Sequence, residues 1–376
     1  MSATLARETT ALAARVADVR TRLAAIPADA VVITRPANIR YLSGFRLREG
    51  EEKVAGYSGT LVITGERLVI VTDFRYLEQA EAEARGWDVR RTTKPMHEDL
   101  PPIVAELGVR RLALEADVVT HATWSALADA APDIELLPVP WPGAALRETK
   151  TPDEVAAIER ACRLGDAAFE FLLSVVRPGM TETHVAWQLE RWFRENGAEE
   201  LAFDPGILAG PRAAMPHGSP NETPIERGNV LLLDFGCQVD GYRSDMTRTV
   251  FIGPPSAERR RVYELVLEAQ QRALDGIRPG MSGREADALA RDFLADAGHG
   301  DDFGHSLGHG IGLETHELPR LGSTSDSVLA PGMVFSVEPG VYLPGVTGVR
   351  IEDIVVLETS GVRRLTQSPR ELLVVD

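Results

Sequence analysis

Two stretches of this chain occur twice, and that repetition limits the folds open to it more than any other feature. Arg177-Pro-Gly-Met-Thr181 returns as Arg278-Pro-Gly-Met-Ser282, an offset of 101 (278 − 177). Gly228-Asn-Val-Leu-Leu-Leu-Asp234 returns as Gly332-Met-Val-Phe-Ser-Val-Glu338, an offset of 104 (338 − 234). Two matches at nearly one spacing indicate a duplicated unit. Thr181 and Ser282 are good N-cap residues, so each predicts the start of a helix. The later pair of matches are apolar runs that each end in an acid. The predicted unit is helix, helix and acid-bearing hairpin, present twice.

Both runs lead into a turn and a second acid. Asp240-Gly241 suits a two-residue hairpin turn, because glycine accepts positive φ. That turn pairs Val239 with Tyr242 and Gly236 with Asp245, which places Asp234 and Asp245 on one face. In the second copy a loop of Leu343–Thr347 pairs Tyr342 with Gly348 and Glu338 with Glu352. Tyr342 and Arg350 fall at even spacing from those acids and should point into the same space. Four carboxylates then converge from two related halves. Unpaired buried charges are costly and like charges repel, so two divalent cations would balance the set. The competing reading is a group of salt bridges to Arg243, Arg248 and Arg350.

Histidines supply further donors. Of eight, five lie between His217 and His316. His305, His309 and His316 are interspersed with Gly308, Gly310 and Gly312, which let the backbone come close to a ligand. His97, His121, His184 and His299 lack such company and read as surface or core residues.

The first part of the chain follows a different pattern. Leu12, Val16, Val19, Leu23 and Ile26 mark an amphipathic helix ended by Pro27. Ala30–Ile33, Gly59–Thr64, Leu68–Thr72, Arg111–Leu114 and Ile134–Val139 read as strands, and Phe74–Arg85 and Thr120–Ala130 as helices. This is an α/β layer arrangement. Arg46–Ala55 is charged and without periodicity, hence a surface loop. Pro140-Trp-Pro142-Gly143 punctuates the chain, and Thr151-Pro152-Asp153-Glu154 opens a helix running to about Val176. The expected domains are 1–140 and 150–376.

A formal charge of −16 argues against nucleic-acid and anionic-membrane partners. No stretch approaches the ~18 apolar residues of a membrane span. Two cysteines, Cys162 and Cys237, and no signal peptide fit a cytoplasmic protein. Cys237 reads as a small buried apolar residue.

The residues from 150 to 376 resemble the pita-bread metallopeptidases, which include methionine aminopeptidase, aminopeptidase P and prolidase. Asn38-Ile-Arg-Tyr-Leu-Ser-Gly-Phe45 and Thr72-Asp-Phe-Arg-Tyr76 resemble the creatinase-type N-terminal domain of the larger members. The implied fold is α+β: a pita-bread catalytic domain with internal pseudo-two-fold duplication, preceded by an α/β N-terminal domain. Asp234, Asp245, His309, Glu338 and Glu352 fall where the family has metal ligands. Two divalent ions are implied, most often Mn²⁺, with Co²⁺, Fe²⁺ or Zn²⁺ possible at such a site. One nitrogen among oxygen donors also favours Mn²⁺ over Zn²⁺.

The resemblance implies hydrolysis by a hydroxide bridging the metals, with Glu338 moving its proton. His217 and His316 match positions that hydrogen-bond the substrate carbonyls. His305, Tyr342 and Arg350 match the wall that receives the residue after the cut. A wall of Tyr342 and the Arg350 stem suits a pyrrolidine ring. The expected activity is removal of the first residue from peptides with proline second, as in aminopeptidase P. The alternative is a prolidase restricted to Xaa-Pro dipeptides, which would need a cation for the free carboxylate; Arg46, Arg48 and Lys53 could serve. A metal-free binding module, a creatinase-like amidinohydrolase and a dimetal phosphoesterase remain weaker readings. A homodimer is expected from the resemblance alone.

Overall fold

The computed structural model describes residues 3–47, 58–140 and 144–376. Its contacts divide the chain into two compact units, Met1–Leu146 and Arg147–Asp376. Among the described residues no helix is long and apolar enough to cross a membrane.

The first unit is built on six strands: β1 (Ala30–Ile33), β2 (Thr60–Thr64), β3 (Leu68–Thr72), β4 (Asp88–Arg91), β5 (Arg111–Glu115) and β6 (Glu135–Val139). They lie in the order β4-β3-β2-β1-β5-β6. β1 is an unbroken apolar run because all four of its side chains are buried in the middle of the sheet. It pairs antiparallel with β2 and parallel with β5. The expected Phe74–Arg85 helix is confined to Leu77–Glu83. The Asp73 carboxylate takes the N–H and guanidinium of Arg75, and Tyr76 N–H donates to Asp73 O, so a turn comes first. The Met96–Glu106 helix was not legible, since it runs through Pro101 and Pro102. Packing of Leu100 and Val104 in the core holds it. The Arg46–Ala55 loop falls largely outside the described residues, as do 141–143.

The second unit carries the duplication. Its first half begins with the helix Pro152–Val175, which opens on a full capping box between Thr151 and Glu154. Thr181 then caps the helix Glu182–Glu195. The strands that follow are β7 (Glu200–Leu201), β8 (Gly206–Ala209), β9 (Val230–Phe235), β10 (Cys237–Val239), β11 (Tyr242–Arg243) and β12 (Met246–Ile252). A 3-10 turn, Gly210–Ala214, follows β8. In the second half the helices are Ala257–Gly276 and Gly283–Asp296, the latter capped by Ser282 and Glu285. After them come β13 (Gly308–Gly310), β14 (Glu317–Leu321), β15 (Val334–Val337), β16 (Gly340–Leu343), β17 (Thr347–Arg350), β18 (Asp353–Glu358), β19 (Gly361–Arg364) and β20 (Val374–Val375).

One sheet runs β20-β12-β9-β8 and another β14-β13-β15-β18-β19. β8-β9-β12 and β13-β15-β18 are therefore equivalent triplets, and helices of both halves pack on them: Phe169 and Leu189 of the first half and Tyr263 and Val266 of the second on β8-β9-β12, Ile158 of the first half on β13-β15-β18. The two triplets are joined directly. Glu352 N–H donates to Thr247 O at 3.0 Å, and Thr249 Oγ1 donates to Arg350 O at 3.0 Å.

Candidate metal centre

Asp234 is the penultimate residue of β9, and Asp245 directly precedes β12. The expected register holds: Val239 faces Tyr242 across the turn, and Phe235 faces Met246 beyond it. Gly236 fills the gap between them because a Cβ there would lie 1.9 Å from Ser244 O. In the second half Tyr342 faces Gly348 and Val337 faces Asp353, which brackets Glu338 and Glu352 in the same way. Both hairpins thus carry their acids at matching places, and the β12 to β17–β18 contacts bring the two sets together.

The geometry offers a set of donors able to hold a cation. Oxygens of Asp245 and Glu352 and a ring nitrogen of His309 lie within 4.8 Å of one another. His309 Nε2 is 3.8 Å from Asp245 Oδ2 and 3.3 Å from Glu338 Oε1. His309 Nδ1 lies 3.1 Å from Gly310 O, so a proton there leaves Nε2 to face the acids with its lone pair. Burial pushes the His309 imidazole below its ordinary pKa, which keeps it neutral. Ser336 accepts from His309 N–H and donates to Glu338 Oε1 at 2.9 Å, fixing two of these residues at once.

Charge decides what the site needs. Burial pushes the carboxyls of Asp245, Glu352 and Glu338 above their ordinary range. For Asp245 the neighbouring charges of Glu352, Asp234 and Glu338 add to that. Glu352 Oε2 accepts from Thr247 Oγ1 at 2.7 Å, while its Oε1 is buried with no hydrogen-bond partner among the described residues. Of the arginines in the competing reading, Arg350 reaches these acids by pairing with Asp234. Arg248 pairs with Asp353, and Arg243 donates to Ala202 O and Thr315. One guanidinium against four carboxylates leaves excess negative charge around an orphaned oxygen, and a divalent cation fits that place.

The other expected residues stand beside this cluster. The His316 ring is 4.2 Å from the His309 ring, centroid to centroid. Arg350 donates to the Tyr342 hydroxyl at 2.9 Å, and that hydroxyl lies 2.8 Å from His305 Nε2. His305 Nδ1 is 2.8 Å from Ser306 O, so the chain of donors runs Arg350, Tyr342, His305. Burial lifts the Tyr342 phenol to about 12 and pushes the His305 imidazole down, so both are neutral near pH 7. Arg350 also approaches Pro216 O at 3.4 Å, which ties it to the segment bearing the exposed His217.

Three further residues escaped sequence reasoning. Arg320 faces His309 across the β13–β14 ladder, and its Nε donates to Ser306 Oγ. Glu182 and Asp287 are buried acids on the second helix of each half. Each follows an N-cap residue closely, and that was the only sign they left in the sequence. Cys162 and Cys237 are both buried, and burial raises their thiol pKa values, as expected of inert cysteines.

Comparison with known proteins agrees with this architecture. Residues 156–359 match the model of metallopeptidase family M24, and 15–149 match the creatinase/prolidase N-terminal domain. An Xaa-Pro dipeptidase of Pyrococcus horikoshii is 36% identical over 92% of this chain and 94% of its own length. The structure of an Xaa-Pro dipeptidase from Bacillus anthracis superposes with a TM-score of 0.91 at 40% identity, covering 96% of this chain and 99% of that one. An X-Pro aminopeptidase from Thermotoga maritima does so with a TM-score of 0.84 at 36% identity, covering 94% and 100%. The fold is thus the pita-bread catalytic domain behind a creatinase-type N-terminal domain, and the chain belongs to metallopeptidase family M24.

Proposed function

We propose that this protein is a metal-dependent Xaa-Pro dipeptidase. The observation that carries this reading is the cluster of Asp245, His309 and Glu352 beside the Arg350–Tyr342–His305 wall. The dipeptide form takes precedence over the aminopeptidase expected from sequence. Relatives named Xaa-Pro dipeptidase support it at 45% and 36% identity, as does the superposition at a TM-score of 0.91.

Asp234, Asp245, His309, Glu338 and Glu352 would hold two divalent ions, with Mn²⁺ favoured by a donor set of four carboxylates and one imidazole. Such ions supply Lewis acidity and a more acidic water when bound. The chain's own residues do the rest. Glu338, held by Ser336 Oγ and facing His309 Nε2, accepts the water's proton and delivers it to the proline nitrogen. His217 and His316 hydrogen-bond the scissile carbonyl region. Tyr342, His305 and the Arg350 stem receive the pyrrolidine ring. Arg320 holds the free carboxylate. It is exposed, and paired residues of an antiparallel ladder share a face, so it stands on the side of His309.

The test uses Mn²⁺-loaded protein with Gly-Pro, a Gly-Pro-led tripeptide and a longer peptide with proline second. Turnover of Gly-Pro alone is expected. Comparable turnover of the longer peptides would restore the aminopeptidase reading, and no turnover of any would remove both. Arg320→Met should raise KM for the dipeptide about 10-fold or more, in keeping with loss of a charge-assisted contact. An unchanged KM would remove Arg320 from the carboxylate's site.

A further inference from the structure

Two buried acids outside the metal cluster, one in each half, each take loop N–H groups and an arginine. Glu182 accepts from Ala209 N at 2.7 Å, from Asn221 N at 3.0 Å and from Arg212 Nε at 3.0 Å. Arg212 in turn donates to Ser219 O at 2.6 Å. These contacts enclose residues 209–221, the segment that carries His217. Asp287 accepts from Leu307 N at 2.9 Å and from Arg291 Nε at 2.5 Å. Arg291 donates to Phe303 O at 2.8 Å and His305 O at 2.6 Å. Those contacts enclose residues 303–307, the segment that carries His305.

We infer that Glu182–Arg212 and Asp287–Arg291 are paired positioning devices, each aiming the substrate-facing histidine of its own half. Glu182 takes two N–H groups of its loop and Asp287 takes one, while Arg212, on the loop itself, donates to one loop carbonyl and Arg291, on the helix, to two. Apart from a contact of Arg212 with the Met215 sulfur, the bonds are to backbone or within the pair, so the acid sets where the loop runs without touching a reacting group. Both acids are fully buried, at 0% and 1% exposure, so solvent does not substitute for them. The second device has an extra connection. Leu307 N–H goes to Asp287, and Leu307 O accepts from Glu338 N at 2.8 Å, so one residue links Asp287 to the metal-side acid. Arg291 also lies 4.4 Å over the Phe303 ring, whose centroid is 5.0 Å from that of His305.

The assignment of His217 and His305 to substrate rests on the proposed dipeptidase reading, but the positioning itself is measurable without turnover. Glu182→Gln and Asp287→Asn are to be compared with the parent by ¹⁵N-histidine NMR, in metal-free and Zn²⁺-loaded protein, and by Gly-Pro kinetics. Glu182→Gln should shift the ring signals of His217 and leave those of His305 in place. Asp287→Asn should do the reverse. Both should raise KM at least 10-fold, with a smaller change in kcat for Glu182→Gln. Arg212→Lys and Arg291→Lys retain charge and size. They should show the same crossed pattern more weakly, and they carry the test if an acid variant does not fold. Unchanged signals at the matching histidine, or equal shifts at both, would overturn the inference. Crossed shifts without any dipeptide hydrolysis would keep the positioning and sink only the substrate reading.

Discussion

Glu338 concentrates the chemistry at the scale of the single residue. It faces His309 Nε2 at 3.3 Å, takes a hydrogen bond from Ser336 and is driven toward its protonated form by burial. Glu338→Gln keeps the shape and loses the proton-accepting oxygen. The expected outcome is a kcat lowered by about 10²–10⁴-fold, the usual range for a positioned acid–base group. Steady-state kinetics on Gly-Pro measure it, and a loss below threefold would put the proton elsewhere. That the acids of the two halves meet was readable. Asp234, Asp245, Glu338 and Glu352 announced themselves because carboxylates at hairpin-matched positions have no structural excuse. The Arg350–Asp234 pair was not readable as such: even spacing placed Arg350 near the acids, but which carboxylate it meets depends on packing between halves.

The elements explain why these residues meet. β17 lies against the 3-10 turn so closely that a Cβ on Gly348 would be 1.9 Å from Ala213 O. Backbone cannot retreat from such a contact as a flexible side chain can. Gly348→Ala should therefore cost on the order of 1–3 kcal/mol and move the segment leading to His217. Chemical denaturation gives the first quantity and KM for Gly-Pro the second; a variant as stable as the parent would contradict the packing described. Long, strongly patterned elements were legible for a physical reason. The helix from Pro152 combines an N-cap, a proline at its first position and acids in its first turn, all local signals. Met96–Glu106 has prolines within it and survives through tertiary burial, which no local pattern records. The exact start of the Leu77–Glu83 helix was likewise set by a side chain, that of Asp73, competing for backbone groups.

Over the whole catalytic unit, stability depends on buried charge that is matched. Glu317 meets Lys150 at 3.1 Å and also pairs with Arg147, with 4% of its side chain exposed. Burial pushes its carboxyl up, yet the charges of Lys150 and Arg147 outweigh this and hold it below the usual range. A folded-state value below the unfolded one means the unfolded chain binds more protons in acid. The stabilisation is present above the unfolded value of about 4.3 and is lost as pH falls through the lower folded value. Glu317→Gln should cost about 3–5 kcal/mol at pH 7, where buried Lys150 loses its carboxylate and Arg147 is left with Glu314. The gap between variant and parent should close in acid. Urea unfolding from pH 7 to pH 3 would show it, and a gap independent of pH would mean the carboxylate's charge is not what matters. Such a network was invisible in the sequence, because Arg147 and Lys150 meet Glu317 only through the long return of the chain.

The joint between the halves has a consequence for the life of the molecule. Thr247 and Thr249 of one half are bonded to Glu352 and Arg350 of the other, so the cluster's donors come from both. A growing polypeptide would carry Asp234 and Asp245 long before Glu352 is added, and the half made first would hold only two of the acids. Cleavage chemistry would then switch on late in biosynthesis, when the second copy closes over the first.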